Sequence, residues 1–565
     1  MKKGIIITGI FLLALFAIAV KGETANNEVS TDTALARNLN TFNTITRYLA
    51  QAYVDSLRPD EAFKTAIGGL LYTVDPYTEY YDAEDVERLE VITTGAYGGI
   101  GAFVMQKGSD TYINLPIEGT PSYKAGLKSG DRIIMVDSID MKGKTTDIVT
   151  GKLKGDPGTM VKVTVERPYE TDSILTFDIQ RERIQDKSVP FYGVIDGIGF
   201  IKLTSFMEKS AQEIRQALES FKANPEVKGV ILDLRDNGGG LVGSAIDILG
   251  MFFPKDTKVI ETRGKVSDAN KTFTTLHSPL LPNIPLAVLI DEGSASASEI
   301  TAGAIQDLDR GIIVGRRSFG KGLVQSTLSL PYNGVLKVTT AKYRLPSGRL
   351  IQALDYSHRN PDGSVARTPD SLTNEFLTKK GRIVRDGGGL IPDSVVEAHN
   401  YSKLVTNLIL ENQIFDYATR FAARHPSIPS PSEFHITDEI FDEFVEFVDT
   451  AKIKSDKSGE MILEQLRKTA KTEGFMTDEL ESSLDSIAPL LAPDLKRDLH
   501  NKRPEIEEFL GREIIRRYYN RSGEEEYLLR FDNEFEVARN ILNNPELYGA
   551  LLTPKTLKAS PKKGK

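Results

Sequence analysis

The rhythm of hydrophobic and polar positions changes three times along the chain. Leu39, Phe42, Ile45, Leu49 and Tyr53 recur at spacings of three and four, which predicts one helical face. The run Ala62–Val74 repeats that pattern, and Asp75-Pro76 closes the region. From residue 95 to 183 the chain turns rich in Gly and β-branched residues. Alternation in Val161–Glu166 predicts strands, with turns at Gly130-Asp131 and Asp156-Pro157-Gly158 and a short helix over Pro121–Leu127. From 184 to 400, apolar strands such as Gly197–Leu203, Gly229–Leu234, Leu286–Asp291 and Gly311–Gly315 alternate with helical runs such as Ser210–Asn224, Leu241–Phe253 and Glu299–Leu308. That alternation predicts an α/β core. Beyond 401 the strand signal disappears. Phe441, Phe444, Val445 and Val448 share a helical face, and Lys555–Lys565 forms a basic tail. The polar segment His358–Leu377 reads as a loop.

The first residues read as an address. Lys2 and Lys3 precede an apolar run from Gly4 to Val20, with small residues at Ala17 and Ala19. This is the pattern of a secretory signal peptide, removed after Ala19. The expected organisation is therefore a signal at 1–20, a helical region at 33–94, a β-rich module at 95–183, the α/β core at 184–400 and a helical domain at 401–565. The expected localisation is exported, periplasmic or otherwise extracytoplasmic, with retention at the inner membrane if the signal stays uncleaved. At ~150 residues per domain, 565 residues suit about four units.

Composition removes several classes of chemistry. A net charge of −9 lacks the basic footprint of a nucleic-acid-binding protein. The absence of cysteine excludes disulfides, thiolate metal sites and cysteine nucleophiles. None of the six histidines pairs with another at metal-ligand spacing, so neither a metal nor another cofactor is expected.

Three segments carry chemistry. Gly293–Glu299 follows a buried strand and opens a helix. A serine there sits where backbone N–H groups stabilise a developing oxyanion, although Ser at a helix start is also an ordinary N-cap. A serine nucleophile needs a base. No histidine lies in a small-residue, apolar setting, although sequence distance leaves a Ser-His-Asp triad open. Lys321 lies between Gly320 and Gly322 beside apolar residues, and burial would let it act as the base. Gln325, four residues on, shares its face and could orient the amine. Asp236-Asn237-Gly238-Gly239-Gly240 follows another buried strand and leaves backbone N–H groups unobstructed for an oxyanion, or simply makes a turn. Gly315–Lys321 also matches G-x-x-x-x-G-K. A phosphate loop needs Ser or Thr next and then a helix, whereas position 322 is Gly and the following run is strand-like.

Taken together, Asp233–Gly240, Ser294–Glu299 and Gly320–Gln325 resemble the motifs of the C-terminal processing peptidases, or tail-specific proteases, a family of Ser/Lys endopeptidases. Thr339–Arg349 and Gly389–Asp393 also match, and the resemblance covers about residues 35–400. It implies a multidomain α/β protein: a crotonase-like ββα protease core with an inserted PDZ domain, an N-terminal helical segment and a C-terminal all-helical domain. By position it makes Ser296 the nucleophile, Lys321 the general base and Gln325 its orienting partner. Ala297 N–H and a backbone N–H of Gly239 or Gly240 would form the oxyanion hole. Glu299 and Asp307 match further family positions, where a structural role is as good a reading. Residues 95–183 resemble the family's PDZ domain, with Gly99, Ile100, Gly101, Ala102 and Phe103 in the carboxylate-binding loop. Such a loop captures a C-terminal carboxylate while an adjacent strand edge pairs with the peptide.

The implied function is an exported serine endopeptidase that selects polypeptide substrates by apolar C-termini and needs no cofactor. The alternative is a catalytically silent PDZ-bearing scaffold or chaperone, against which the joint presence of Ser296, Lys321 and Gln325 speaks. An adaptor or regulatory protein, peripheral membrane association and a homo-oligomer are the further partners the resemblance leaves room for. The region 401–565 lies outside the minimal family pattern and carries no motif that assigns it a role.

Overall fold

Strands buried on both faces read as unbroken apolar runs, and four such runs form the centre of this computed structural model: Ile198–Lys202, Gly229–Asp233, Leu286–Ile290 and Ile312–Gly315. The structure describes residues 31–453 and 457–554. The signal-peptide reading of 1–20 and the basic tail at 555–565 lie outside the described residues. The core sheet has six strands in sequential order: β1 (Phe191–Ile195), β2 (Ile198–Lys202), β3 (Gly229–Asp233), β4 (Leu286–Ile290), β5 (Ile312–Gly315) and β6 (Ser394–Val395). β1 is antiparallel to β2, and every later pair is parallel.

The two faces of this sheet are covered by different parts of the chain. One face packs against helices α1 (Ser210–Ala223), α2 (Val242–Leu249) and α3 (Ala297–Asp307), the connections expected between parallel strands. Ile201, Val230, Leu232, Val288 and Ile313 meet Ile214, Leu218, Ile248, Ile300 and Ile305 there. On the other face, Phe200, Ile231, Leu289, Ile312 and Val314 meet Leu529, Phe535, Ala538, Ile541 and Leu542. Each such side chain, fully buried, contributes about 1.5–3 kcal/mol. The helices α4 (Asn533–Leu542) and α5 (Pro545–Leu551), from the end of the helical region, thus complete the protease core. The Tyr548 hydroxyl accepts the Leu286 N–H at 3.0 Å, fastening α5 to the start of β4.

Beside this core lies a second, antiparallel sheet that includes Lys258–Gly264, Leu323–Ser329 and Val335–Arg344, with Glu79–Tyr81 along one edge. The segment expected to be a loop at 358–377 instead contributes to two hairpins, Leu354–Arg359 with Val365–Arg367 and Glu375–Leu377 with Ile383–Arg385. Asn360-Pro361-Asp362-Gly363 supplies the first turn, closed by Gly363 N–H to Asn360 C=O at 2.8 Å.

The β-rich module has a sheet in which Ala102–Lys107 forms one edge, followed by Asp110–Pro116, Arg132–Val136, Met160–Glu166 and Ile174–Gln180. The short helix expected near residue 121 is present as Pro121–Ala125. The helical region docks on this module as well. Arg516 Nη2 donates to Asn114 Oδ1 at 2.6 Å, Lys107 pairs with Asp416, and a Cβ on Gly130 would lie 2.4 Å from Thr419 Cγ2.

The described residues up to Pro76 form a separate unit. It contains the helices Thr31–Ala52 and Pro59–Tyr72, joined by an edge-to-face contact of Phe42 and Phe63 at 5.9 Å. Leu39, Phe42, Ile45 and Leu49 of the predicted face lie on the first helix and are exposed, and Tyr53, also exposed, falls one residue past its end.

Candidate active site

Three loops leave the carboxyl ends of β3, β4 and β5, the end of a parallel sheet where sites are found. Each carries one of the sequence-predicted groups: the glycines at 238–240, Ser296 at 291–296 and Lys321 at 316–322. The loops are tied to one another by buried polar side chains.

Of the three serines in the nucleophile segment, Ser294 and Ser298 are fully buried. Ser294 Oγ donates to Leu234 C=O at 2.7 Å, and Ser298 Oγ to Asn237 C=O at 2.7 Å. Both hydroxyls therefore fasten this loop to the glycine loop. Ser296 is half-buried, with no backbone carbonyl holding its hydroxyl. It sits as the N-cap of α3 with φ 55° and ψ −112°. A left-handed backbone at a non-glycine residue costs on the order of 1–3 kcal/mol and survives only where the surroundings impose it. Here Ala295 N–H donates to Asn237 C=O at 3.0 Å and Phe319 N–H to Ser294 C=O at 3.0 Å, pinning the turn from both neighbouring loops.

Glu299 is the hub. Its carboxylate is fully buried and accepts four hydrogen bonds: Ser296 N–H at 3.0 Å, Lys321 N–H at 2.8 Å, Gly320 N–H at 2.8 Å and Ser318 Oγ–H at 2.5 Å. One oxygen, Oε2, thus holds the backbones of the nucleophile and of the candidate base together. Burial pushes the Glu299 carboxyl up, and its four donors counter part of that rise. The Tyr343 hydroxyl donates to Ser296 C=O at 3.4 Å, and burial raises its own pKa.

Asp291 performs the same service on the other side. Its Oδ1 accepts from Asp236 N–H at 2.9 Å, Gly293 N–H at 3.0 Å and Ser294 N–H at 3.1 Å. Sequence reasoning took Asp291 only as the last residue of a strand. An acid before Gly and Ser at a strand end is a turn-forming signal that would have found it. Below the glycine loop, Asp233 is buried between Arg235 and Lys202, at 2.7 Å and 3.0 Å. Burial alone would raise its carboxyl, but the two cations outweigh that and hold it well below the usual carboxylate range.

The oxyanion candidates are distributed unequally. A Cβ on Gly239, at φ +98°, would lie 2.9 Å from both Ser296 Cβ and Ala297 N, so only glycine permits this approach. Ala297 N–H opens α3 directly beside Ser296. Gly239 N–H donates to Asn237 Oδ1 at 2.9 Å, while Gly240 forms a bridge with Phe206.

Lys321 Nζ lies 4.2 Å from the centre of the Tyr77 ring. Gln325 lies on Leu323–Ser329, just past a register shift between Val324 and Gln325, and its Nε2 donates to Thr339 Oγ1 at 3.1 Å. That bond ties Gln325 to the neighbouring strand Val335–Arg344. Because Gly315–Lys321 leads into this strand rather than a helix, the phosphate-loop match has no structural counterpart. Asp307, at the far end of α3, pairs with the buried Arg349 at 2.7 Å and accepts Ser347 N–H at 3.0 Å, which is a structural role. Among the described residues, no group of three or more His, Asp or Glu is placed to hold a metal ion.

In the β-rich module, Gly99 ends one strand, Ile100 and Gly101 turn, and Ala102 and Phe103 open the edge strand. Gly101, at φ +76°, has its carbonyl held by Ser122 Oγ at 2.6 Å and Thr120 Oγ1 at 2.9 Å. Facing the strand is the helix Thr146–Leu153, with Ile148 exposed. Phe103 lies under the guanidinium of Arg521, from the helical region, at 5.5 Å.

A family model described as "Peptidase family S41" matches residues 197–358, and a PDZ-domain model matches residues 98–180. A third, described as "Probable PDZ-protease, C-terminal helical domain", matches 404–542. The chain is 36% identical over 377 residues to a carboxy-terminal-processing protease of Bartonella bacilliformis, covering 66% of this chain and 83% of that one. It is 32% identical over 317 residues to a "Probable CtpA-like serine protease" of Staphylococcus aureus, covering 56% of this chain and 62% of the other. Among solved structures, the photosystem II D1 C-terminal processing protease aligns over 63% of this chain and 86% of its own, at 25% identity and a TM-score of 0.33. The PDZ domain of a Vibrio cholerae carboxy-terminal protease, solved with a peptide, aligns at 32% identity over 16% of this chain and 99% of its own, with a TM-score of 0.15.

Proposed function

The chain belongs to the C-terminal processing peptidases of family S41, and we propose that within this serine protease Ser296 is the nucleophile and Lys321 the general base. The observation that carries the reading is the division of labour among three neighbouring serines. Ser294 and Ser298 bind backbone carbonyls, and Ser296 alone stands at a strained helix-opening turn whose N–H shares Glu299 Oε2 with Lys321 N–H.

In the proposed reaction, neutral Lys321 takes the Ser296 hydroxyl proton as Oγ attacks the peptide carbonyl. The oxyanion is received by Ala297 N–H and by a glycine-loop N–H of Gly239 or Gly240. Using Gly239 requires it to leave Asn237 Oδ1. Lys321 then protonates the departing amine. Water attacks the acyl-enzyme with Lys321 again as base, returning the proton to Ser296. The PDZ domain binds the polypeptide. Its open strand edge Ala102–Lys107 and the exposed Ile148 support selection of apolar C-termini by strand addition, with the carboxylate on the N–H groups of Ile100, Gly101 and Ala102. Export is supported by Lys2, Lys3 and the apolar run to Val20.

The test is intact-mass analysis of an unfolded protein with an apolar C-terminus, incubated with the signal-less enzyme and with its Ser296→Ala and Lys321→Ala variants. Cleavage by wild type, with each variant slower by at least ~10⁴-fold, is the expected result. Equal cleavage by all three would overturn the assignment. N-terminal sequencing of the protein recovered from the host envelope tests export, and a mature start after Ala19 is expected.

A further inference from the structure

The C-terminal helical region reaches the catalytic loops from beneath. Arg235 stands at the root of the glycine loop and Arg316 at the root of the loop that carries Lys321. Both side chains run to the start of α4. Arg235 donates through Nη1 to Asp532 Oδ1 at 2.9 Å and to Glu534 Oε2 at 3.2 Å. Arg316 donates through Nη1 to the other oxygen of the same carboxylate, Glu534 Oε1. Arg316 also donates through Nε to Glu292 Oε2 at 2.8 Å and lies 3.7 Å from Asp291 Oδ2, both at the root of the nucleophile turn. The Glu534 side chain is 13% exposed and that of Arg235 is 14%. Asp532 is also the N-cap of α4, where its Oδ1 accepts Phe535 N–H at 2.9 Å, so the carboxylates are fixed by the helix they begin.

We infer that Glu534 is a positioning residue for catalysis, its carboxylate joining the roots of the oxyanion, nucleophile and base loops through Arg235 and Arg316. The inference rests on the Ser296/Lys321 reading given above. Each loop root is the carboxyl end of a different parallel strand, and nothing in the sheet's own hydrogen bonding fixes the side chains that leave those ends. A bidentate carboxylate between two guanidiniums fixes direction as well as distance. Docking of the C-terminal region then adds to the ties from Glu299 and Asp291 a further constraint on the spacing of the oxyanion donor and the base. Relaxing such a tie moves reacting groups without removing them, and small misplacements of that kind cost large factors in rate.

The experiment uses the full signal-less chain. It measures kcat and KM on a labelled, unfolded casein, the rate at which a fluorophosphonate probe labels the enzyme, and Tm. Glu534→Gln should lower both kcat and the labelling rate by roughly ten- to a hundredfold and leave KM within about twofold. Tyr548→Phe, which loosens the same helical layer away from the loops, should lower Tm while keeping kcat. Because Glu534→Gln leaves two guanidiniums short of a partner, Arg316→Gln and the double variant complete a cycle. The double variant should be no slower than the slower single variant, since the pair acts as a unit. Wild-type kcat in Glu534→Gln, a loss of kcat in Tyr548→Phe that scales with Tm in the same way, or additive effects in the cycle would overturn the inference. Ser296→Ala runs alongside. If it cleaves like wild type, the catalytic reading itself has failed; if it is inert while Glu534→Gln is fully active, only the tie has.

Discussion

Around Ser296, the side chains of Asn237, Asp291, Ser294, Ser298 and Glu299 are buried, and each is bonded to the backbone of another loop. In the PDZ domain, the strand Ala102–Lys107 lies at a sheet edge, and the turn before it is held through the carbonyls of Ile100 and Gly101, by Ser122 N–H on the first and by Ser122 Oγ, Thr120 Oγ1 and Ile117 N–H on the second. The two sites face different physical demands. An oxyanion exists only briefly, so the N–H groups that receive it must already be in place when it forms. A peptide that adds as a strand supplies half the hydrogen bonds itself and needs an edge left unpaired. The loops around Ser296 are over-determined, whereas the strand edge is left for a peptide to complete.

That contrast can be broken in graded ways. The largest effect should come from Glu299→Gln, because an amide cannot accept all four of the bonds that Glu299 receives. We expect kcat to fall about 100-fold with KM within twofold, and a fall in KM-dependent binding alone would show that the hub does not position the catalytic groups. Next comes acid. The Asp233 carboxyl is depressed in the folded state, so its contribution to stability is complete above the ordinary unfolded value of ~3.9 and is lost as pH falls through the folded value. Urea midpoints should therefore drop below about pH 4, by on the order of 2–3 kcal/mol in stability. A wild-type-like slope in Asp233→Asn would place the acid sensitivity elsewhere. On the recognition side, Gly101→Val forces a β-branched residue into φ +76° with its Cβ 2.4 Å from Thr120 Cβ. It should raise KM for an unfolded protein about tenfold, in line with 1–3 kcal/mol of strain, and leave fluorophosphonate labelling unchanged. Slower labelling would mean that the PDZ domain controls chemistry as well as capture. The smallest effect belongs to Gln325→Ala, about threefold or less on kcat, as fits a side chain bonded to Thr339. A 100-fold loss would show that Gln325 turns to Lys321 in the reacting complex.

Much of this was legible in the residues. Unbroken apolar runs gave the parallel strands, and small residues after them marked each loop. The family resemblance selects the middle serine by position, whereas the bonds of Ser294 and Ser298 to backbone carbonyls could not be read from the residues. Other features depend on contacts that pattern does not carry. A register shift falls between Val324 and Gln325, and strand alternation could not foresee it. Glu299 matches a family position with a structural role open to it, but its pattern does not show it as the acceptor for a loop 22 residues away, and Asp291 reads only as a strand end. Helicity at 535–544 was evident from spacing, yet nothing local could tell that its apolar face belongs to the protease sheet or that Glu534 meets Arg235, 299 residues earlier. The face of Leu39, Phe42 and Leu49 shows the converse, a clear period on a surface that remains exposed.

The helices α4 and α5 have a consequence for how the protein is made. A chain that emerges N-terminus first presents β1 to β5 and the three loops that follow β3, β4 and β5 long before residue 529 is available. Until then Phe200, Ile231, Leu289 and Val314 form an uncovered apolar surface, and Arg235 and Arg316 lack their shared carboxylate. Residues 529–552 therefore close a core whose loops were made more than 200 residues earlier. A nascent protease of this design acquires its finished active site only after Glu534 has emerged, when the stretch that carries its own catalytic loops is no longer the newest part of the chain.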